Sequence, residues 1–440
     1  MDYDEALQYL LSLGHETLAI KLGLRNTKLL LNSLNNPQHS FPAVQIAGTN
    51  GKGSTASFLD SICRHAGIRT GLYTSPHLES ITERIKIGGS EISREDFADC
   101  ATTVRDTANR LLRTGDIEAL PTFFEHVTAI ALVAFRDARV EFAILETGLG
   151  GRLDATTAVE APVCAITDIG FDHEEYLGNT IKSIAAEKAA IIHEGSTAVI
   201  APQTAEALKV ILDRCKEVNV TPVLECTKRI EEFSKDGRCK VTFKTPNDTY
   251  ESIWLGLRGR HQIENAGVAI QLAEILRTRG HRITRETIVE GLETASHPGR
   301  LELFGDKPAF LLDGAHNPSG AQALQEFLQT FRRHPLTIIF GTMRDKRIDQ
   351  IAEYLFPLAD DLILTEIDNP RSASSITLLD VAKKLRLTNV TSTTTSRDAL
   401  KLAIEKTPAH GMICITGSLY LIGEIRTELR HSEKRLQKTT

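Results

Sequence analysis

The stretch Ala47-Gly48-Thr49-Asn50-Gly51-Lys52-Gly53-Ser54 combines residue types that can hold a polyphosphate. Glycines let backbone N–H groups curl around an anion, a helix starting there adds the partial positive charge of its N-terminus, and Lys52 supplies a full charge. A short apolar strand is expected just before, at 43–46, and a helix over 55–66 puts Phe58, Leu59, Ile62 and Cys63 on one face. The loop departs from the general phosphate-loop pattern. Ile46 stands where the first glycine would be, Gly53 stands where a hydroxyl would follow the lysine, and Ser54 comes one residue later. A glycine-rich turn that holds nothing is the alternative on these residues alone.

Two further apolar runs, 142–145 and 163–167, lack alternation, as parallel strands covered on both faces do. The first ends in Glu146 and a glycine-bearing turn, the second in Asp168-Ile169-Gly170-Phe171-Asp172-His173. Ligands of an open parallel sheet bind beyond the carboxyl ends of its strands, so Lys52, Glu146 and His173 are expected to converge. Glu146 is there either an ion-pair partner or a ligand of Mg²⁺, which takes hard oxygen donors and bridges phosphates. His173 is either structural or a ligand, and Ser75, opening a turn after another strand, reads as a cap. In a helix expected over 180–193, Lys188 falls inside the apolar stripe of Ile181, Ile184, Ala185, Ile191 and Ile192. A lysine facing a core must be paired, neutralised or modified. Either its stem packs while its head reaches water, or the neutral amine carries a carbamate, which turns a cation into an oxygen ligand. In the second half, Asp313 ends a strand as a turn former or as a ribose ligand. Arg300 is a surface charge or reaches a phosphate across a cleft, and Asn265 faces an adenine or caps a helix.

These residues need elements to position them. A helical, amphipathic segment is expected over 4–34, with Leu7, Leu10, Leu11, Leu18, Leu22, Leu29, Leu30 and Leu34, ended by Asn36-Pro37. Strands are expected at 71–74 and 85–87 and helices over 93–113 and 123–138, the second with Thr122 as N-cap and Glu125 completing a capping box. Strands at 198–200 and 220–224 continue the alternation, 227–256 reads as an antiparallel patch, and a helix follows over 261–279. Ser296-His297-Pro298-Gly299-Arg300 reads as a linker into a second α/β series with strands at 310–313, 336–340, 361–364 and 412–415. The tract 391–396 is biased in composition but short. The expected architecture is α/β: an N-terminal P-loop-type, mostly parallel sheet domain over 1–297 and a smaller C-terminal Rossmann-like domain over 298–440. The nucleotide site is expected in the cleft between them.

Composition narrows the class. At 440 residues the chain exceeds what one core supports. A net charge of −6 gives no electrostatic footprint for nucleic acid, and the basic tail (Arg426, Arg430, Lys434, Arg435, Lys438) reads as a solvated helix end. The seven cysteines are scattered and never form Cys-x-x-Cys, which fits a reducing cytoplasm and argues against a zinc site. No apolar run reaches the roughly 18 residues of a membrane span, and Met-Asp-Tyr-Asp-Glu does not resemble a leader. A cytoplasmic protein without membrane or nucleic-acid partners is expected.

The motifs together, in order along nearly the whole chain, resemble those of folylpolyglutamate synthase, including its bifunctional form that is also dihydrofolate synthase, in the Mur ligase superfamily. They are Asn36-Pro37-Gln38, the 47–54 loop, Thr74-Ser75-Pro76-His77-Leu78, Thr82-Glu83-Arg84-Ile85, Thr122-Phe123-Phe124-Glu125, 146–155, His173 with Leu177-Gly178, and Ile184-Ala185-Ala186-Glu187-Lys188. Gly259-Arg260-His261-Gln262 with Asn265-Ala266, Pro298-Gly299-Arg300, 313–318, 341–346 and Gly417-Ser418-Leu419-Tyr420 complete the set. The resemblance implies an ATP-dependent ligase, working as a monomer, that adds L-glutamate to dihydropteroate or to folate polyglutamates. It implies ATP phosphates on Asn50, Gly51, Lys52, Gly53 and Ser54, and the rest of the nucleotide on Asn265, Arg300 and Asp313. It implies two Mg²⁺ ions, on Ser75, Glu146, His173 and a carbamylated Lys188. Thr122, Phe123, Phe124 and Glu125, with Leu153, Asp154 and Ala155, match stretches lining the pterin site of bifunctional members, and His316 and Ser418 fall on the substrate side. Lys52, Lys188 and His316 are the expected catalytic groups. Gln45 stands where the family often has His, and Ala190 where Gly is usual. The rivals are a cell-wall Mur ligase, disfavoured by Thr122-Phe123-Phe124-Glu125 and by the lack of a separate UDP-binding domain before Ala47, and a regulatory ATPase without ligase activity.

Overall fold

The computed structural model describes residues 1–14 and 23–437, with side chains as far as His431. Seven strands make the first sheet: β1 (Ala43–Ala47), β2 (Thr70–Tyr73), β3 (Ile85–Ile87), β4 (Ser90–Glu91), β5 (Phe142–Glu146), β6 (Val163–Ile166) and β7 (Thr197–Ile200), in the order β4-β3-β2-β5-β1-β6-β7. The five strands from β2 to β7 run parallel, and β3 and β4 add an antiparallel edge. β1 lies between β5 and β6, with Ile46 opposite Glu146 and Ala47 opposite Ile166, so the turns after these three strands leave the sheet side by side. Every residue of β1, β5 and β6 is buried, because helices cover both faces. Val44, Ile46, Phe58 and Ile144 belong to the core on one face, and Tyr73, Phe97, Phe135 and Leu145 to that on the other.

The expected antiparallel patch is a three-stranded sheet, β8 (Thr227–Phe233), β9 (Arg238–Lys244) and β10 (Thr249–Arg258). It buries Val241, Phe243, Tyr250 and Leu255 in the same core as the long His261–Thr278 helix. A third sheet follows the linker: β11 (Glu302–Phe304), β12 (Ala309–Asp313), β13 (Leu336–Phe340), β14 (Asp361–Thr365), β15 (Val390–Thr393) and β16 (Met412–Thr416), in the order β11-β12-β16-β13-β14-β15. Only β11 is antiparallel. Asp313, Thr416 and Phe340 lie in register, so the turns after β12, β16 and β13 also emerge together. The α/β architecture expected from the sequence is the one observed.

Several elements differ from expectation. The phosphate-loop helix runs Lys52–His65 and so begins three residues early, because Gly51 in the left-handed region (φ 85°) turns the chain straight into it. Residues 220–224 are not a strand. Pro222 interrupts the run, and a single bridge, Val199 to Val223, is all that pairs. The Lys188 helix is only Ile181–Ala189, although Ile191 and Ile192 beyond it stay buried. The helical segment expected over 4–34 is seen as Tyr3–Ser12 and Arg25–Ser33, and Leu18 and Leu22 lie outside the described residues. In the basic tail, the side chains of Lys434, Arg435 and Lys438 lie outside them as well. The biased tract at 391–396 contributes to β15. A helix the sequence did not suggest, Arg285–Thr294, packs on the Lys52–His65 helix through Gly291, where a Cβ would come within 2.4 Å of the Ile62 Cα.

The two large sheets are tied together beside the linker by Arg426. Its buried guanidinium bonds Glu302 of β11 through Nε and Nη2, both at 3.0 Å to a carboxylate oxygen, and Glu79 through Nη1. Removing it leaves two facing carboxylates without their cation. Arg426→Ala is therefore expected to destabilise the fold by about 3 kcal/mol, seen as a lower thermal midpoint. Arg426→Lys should recover only part of that loss, since an ammonium cannot fork between two carboxylates.

Candidate active site

The phosphate loop is braced from outside as well as by its own lysine. Thr49 N and Asn50 N donate to Asp168 O at 2.7 and 3.2 Å, and Asn50 Nδ2 to the Asp168 carboxylate at 3.1 Å. Asn265, on the His261–Thr278 helix, presses so close that a Cβ at Gly51 would lie 2.2 Å from its Oδ1. Lys52 Nζ donates to Gly48 O and Thr49 O, both at 3.1 Å, and Lys188 Nζ donates to the same Gly48 O at 2.7 Å. Two amines from distant helices thus share one carbonyl. Burial, and then the nearness of Lys52, pushes Lys188 down to about 7; burial also lowers Lys52, against the attraction of Glu146. Ser54 is buried in the first turn of the helix.

Glu146 ends β5 with its carboxylate over Gly53, where a Cβ would sit 3.3 Å from Oε2, and that oxygen accepts from Ser75 N at 3.2 Å. Burial raises its pKa, and Lys52 opposes the rise. His173 begins the short Glu174–Leu177 helix in a left-handed conformation (φ 51°), and burial pushes its imidazole down to about 3, leaving it neutral. Its neighbour Asp172 is a hub. It accepts from Lys346 Nζ at 2.6 Å, bonds His316 Nε2 at 3.2 Å and accepts from Asn317 Nδ2 at 3.4 Å, while Asn317 also donates to Asn50 Oδ1 at 2.9 Å. Burial disfavours its charge, but the hydrogen bond with His316 and the Lys346 ammonium outweigh that and hold Asp172 well below the usual carboxylate range.

From the third sheet, Asp313 points back into its own turn, accepting from Leu301 N at 2.9 Å and Ala315 N at 3.0 Å, and Arg300 lies over Gly314. His316 Nδ1 bonds Gly314 O at 2.7 Å, and the Ser418 hydroxyl accepts from Tyr420 N at 3.2 Å. On the opposite wall, Thr122 caps the Phe123–Asp137 helix, and Glu125 closes the capping box while accepting from Thr27 Oγ1 at 2.7 Å. Asp154 is spent on its loop, accepting from Gly148 N, Leu149 N and Thr156 N at 2.9 to 3.0 Å.

Between the two sets of strand ends lies a cleft of about 530 Å³. Of the residues singled out from the sequence, Asn50, Gly51, Lys52, Gly53, Ser54, Ser75, Thr122, Phe124, Glu125, Glu146, Leu153, Asp154, Ala155, His173, Lys188, Asn265, Arg300, Asp313, His316 and Ser418 all line it. Phe123 does not. It turns into the core beneath Arg84, whose guanidinium stands 5.5 Å from the ring. Sequence reasoning passed over Asp172 and Lys346, although both sat inside quoted motifs. It also passed over His297, whose Nδ1 lies 3.1 Å from Ser57 Oγ and whose Nε2 would be 2.8 Å from a Cβ at Gly53. No helix among the described residues is long and apolar enough to cross a membrane.

Two family models match the chain, the Mur ligase middle domain over residues 46–273 and the Mur ligase glutamate ligase domain over 299–419. They define its class, the Mur-type ligases that form carbon–nitrogen bonds. Dihydrofolate synthase/folylpolyglutamate synthase of Bacillus subtilis (strain 168) is 36% identical over 424 residues, 95% of this chain and 97% of the relative. Mycobacterium tuberculosis folylpolyglutamate synthase complexed with ADP superposes with a TM-score of 0.90 at 31% identity, covering 97% of this chain and 99% of the other. Escherichia coli FolC in complex with DHPP and ADP superposes with a TM-score of 0.87 at 28% identity, covering 98% and 99%. The chain belongs to the folylpolyglutamate synthase/dihydrofolate synthase family, as its motifs implied.

Proposed function

We propose that this chain is a cytoplasmic, monomeric ligase that joins L-glutamate to dihydropteroate, to the γ-carboxylate of folate polyglutamates, or to both, using ATP. The acid attacks the γ-phosphorus of ATP, giving an acyl phosphate and ADP; the amine of glutamate then attacks the acyl carbon, and phosphate leaves. The observation that carries this is the convergence of Lys52, Lys188 and Glu146 on the phosphate loop, facing Arg300 and His316 across one cleft. Both reacting partners are anionic, so the protein's work is neutralising charge and aligning groups.

In this reading the backbone of Asn50, Gly51, Gly53 and Ser54, with Lys52, cradles the phosphates, Asn265 and Asp313 hold the nucleoside, and Arg300 reaches a phosphate. The donor set fits Mg²⁺, which needs one or two carboxylates beside phosphate oxygens and water. Glu146 supplies a carboxylate next to Ser75, the neutral His173 a lone pair, and a carbamylated Lys188 would supply further oxygens. When bound, Mg²⁺ would offset the negative charge of the phosphates. Phe124, Leu153 and Ala155 offer an apolar wall for a pterin. Thr122, Glu125 and Asp154 shape that wall through their own bonds, and Phe123 supports it from behind. His316 and Ser418 face the side from which glutamate would approach. The division into 1–297 and 298–440 belongs to the same reading, supported by the third sheet starting at Glu302.

An assay with ATP, Mg²⁺, L-glutamate and either dihydropteroate or tetrahydrofolate tests it. Phosphate release is expected to require pterin and glutamate together. Release with neither would indicate a regulatory ATPase, and dependence on a UDP-sugar peptide a cell-wall ligase.

A further inference from the structure

The donors around Asp172 have a common origin. His316 and Asn317 follow β12 and Lys346 follows β13, all in the third sheet's half of the molecule, whereas Asp172 follows β6 of the first sheet. Beside them Arg347 grips Glu174 with both arms, at 2.6 and 2.7 Å, and lies 4.1 Å from the Phe171 ring centroid. Three consecutive or near-consecutive residues of one turn, Phe171, Asp172 and Glu174, are thus held by one loop and one helix start of the other half. Asp172, Lys346 and His316 also line the cleft, so these bonds close it. The Arg426 contact has a different place. Glu302 comes two residues after the linker and moves with Arg426, so the tie to the first sheet is the bond to Glu79 beside the linker, whereas Asp172 and Lys346 meet in the cleft itself.

We infer that Asp172 and Lys346 form a clasp that sets the C-terminal half over the phosphate loop, making both of them positioning residues for the transfer to the amine. Asp172 and Lys346 are nearly inaccessible, with side chains 8% and 9% exposed, so their bond is shielded from competing water. Through Asn317 the same cluster reaches Asn50 of the phosphate loop, linking the side where the acid is activated to the side where the amine arrives. Closure also keeps water from an acyl phosphate, so a clasp that fails should let that phosphate be lost to hydrolysis. The inference rests on the ligase reading.

The test is a double-mutant cycle with Asp172→Asn, Lys346→Ala and the pair, read by amide formed, phosphate released and ADP binding by calorimetry. Each single change is expected to lower turnover roughly 10- to 100-fold, and the double variant to be no worse than the poorer single one. Phosphate released per amide formed should rise above the wild-type ratio, while ADP binding stays as in the wild type. Lys346→Arg, which keeps the charge, should recover most of the lost turnover. Losses that multiply in the double variant would overturn the clasp, since Lys346 would then act on substrate independently of Asp172. An ADP affinity that falls in step with turnover in Asp172→Asn would overturn it too. If the ligase reading itself fails, the wild-type enzyme forms no amide, which separates the two failures.

Discussion

Lys52→Ala is expected to lower ligase turnover by at least about 10²-fold, some 3 kcal/mol of transition-state stabilisation, without unfolding the protein. The ammonium lies at the start of the helix that the phosphate loop feeds and is held by the carbonyls of Gly48 and Thr49, both 3.1 Å away. It is therefore in place before any phosphate arrives and costs little reorganisation as charge moves from the γ-phosphoryl group. The loss should fall mainly on turnover, with a smaller change in the KM for ATP, because backbone N–H groups still hold the phosphates. Burial lowers the pKa of Lys52, which means that the fold carries its charge at a cost. Deleting it removes that cost. It also leaves Glu146, already raised by burial, without the cation that opposes the rise, so Glu146 takes up a proton more readily. An unchanged or higher thermal midpoint is the expected companion of the lost activity. Lys52→Arg should not rescue, since a planar fork cannot sit between two carbonyls as a compact ammonium does. Full turnover by Lys52→Ala would remove the phosphate loop from the mechanism.

The convergence of Lys52, Glu146 and His173 was legible because a single rule governs it. Parallel strands in register deliver their following turns to one edge, and β5, β1 and β6 are adjacent. What the sequence hid is mostly a matter of partners. Asp172 looks like any carboxylate in a glycine-bearing turn, and its donors Lys346 and His316 are 174 and 144 residues away, on another sheet. Likewise Phe123 and Phe124 are neighbours in a first helical turn, about 100° apart around the axis. The capping box fixes where that helix starts but not which ring meets the core and which the cleft. The Arg285–Thr294 helix escaped notice because it buries only Ile288, Gly291 and Leu292, and the close approach that stabilises it depends on a glycine. At Lys188 the sequence left two alternatives, a stem reaching water or a modified amine. The side chain is buried and its amine bonds Gly48 O, so its head turns to the phosphate loop instead of running out to the surface.

That placement leads to the second large effect. Enzyme equilibrated with ¹³C-bicarbonate is expected to show one carbamate resonance, absent from Lys188→Ala, whose turnover should fall roughly 10²-fold, as for a lost electrostatic group in a buried site. Lys188 and Lys52 share Gly48 O, so both cannot comfortably stay charged, and unit charges this close repel by several kcal/mol at an effective dielectric of about 20. Lys188 is the one that yields. Pushed down to about 7 by burial and then by Lys52, it is about half neutral at pH 7, where an unperturbed lysine is under about 0.1% neutral. Only the neutral amine can add CO₂, so the resonance and the turnover should both rise as the pH climbs through about 7 and fade below it. The product would be an anion beside Lys52, which converts a repulsion into an attraction and adds oxygens to the cleft that Glu146 also lines. Loss of the resonance with retained turnover would show that the carbamate is dispensable. A crystal structure with Mg²⁺ bound and Lys188 unmodified would show that the free amine, bonded to Gly48 O, is the working form.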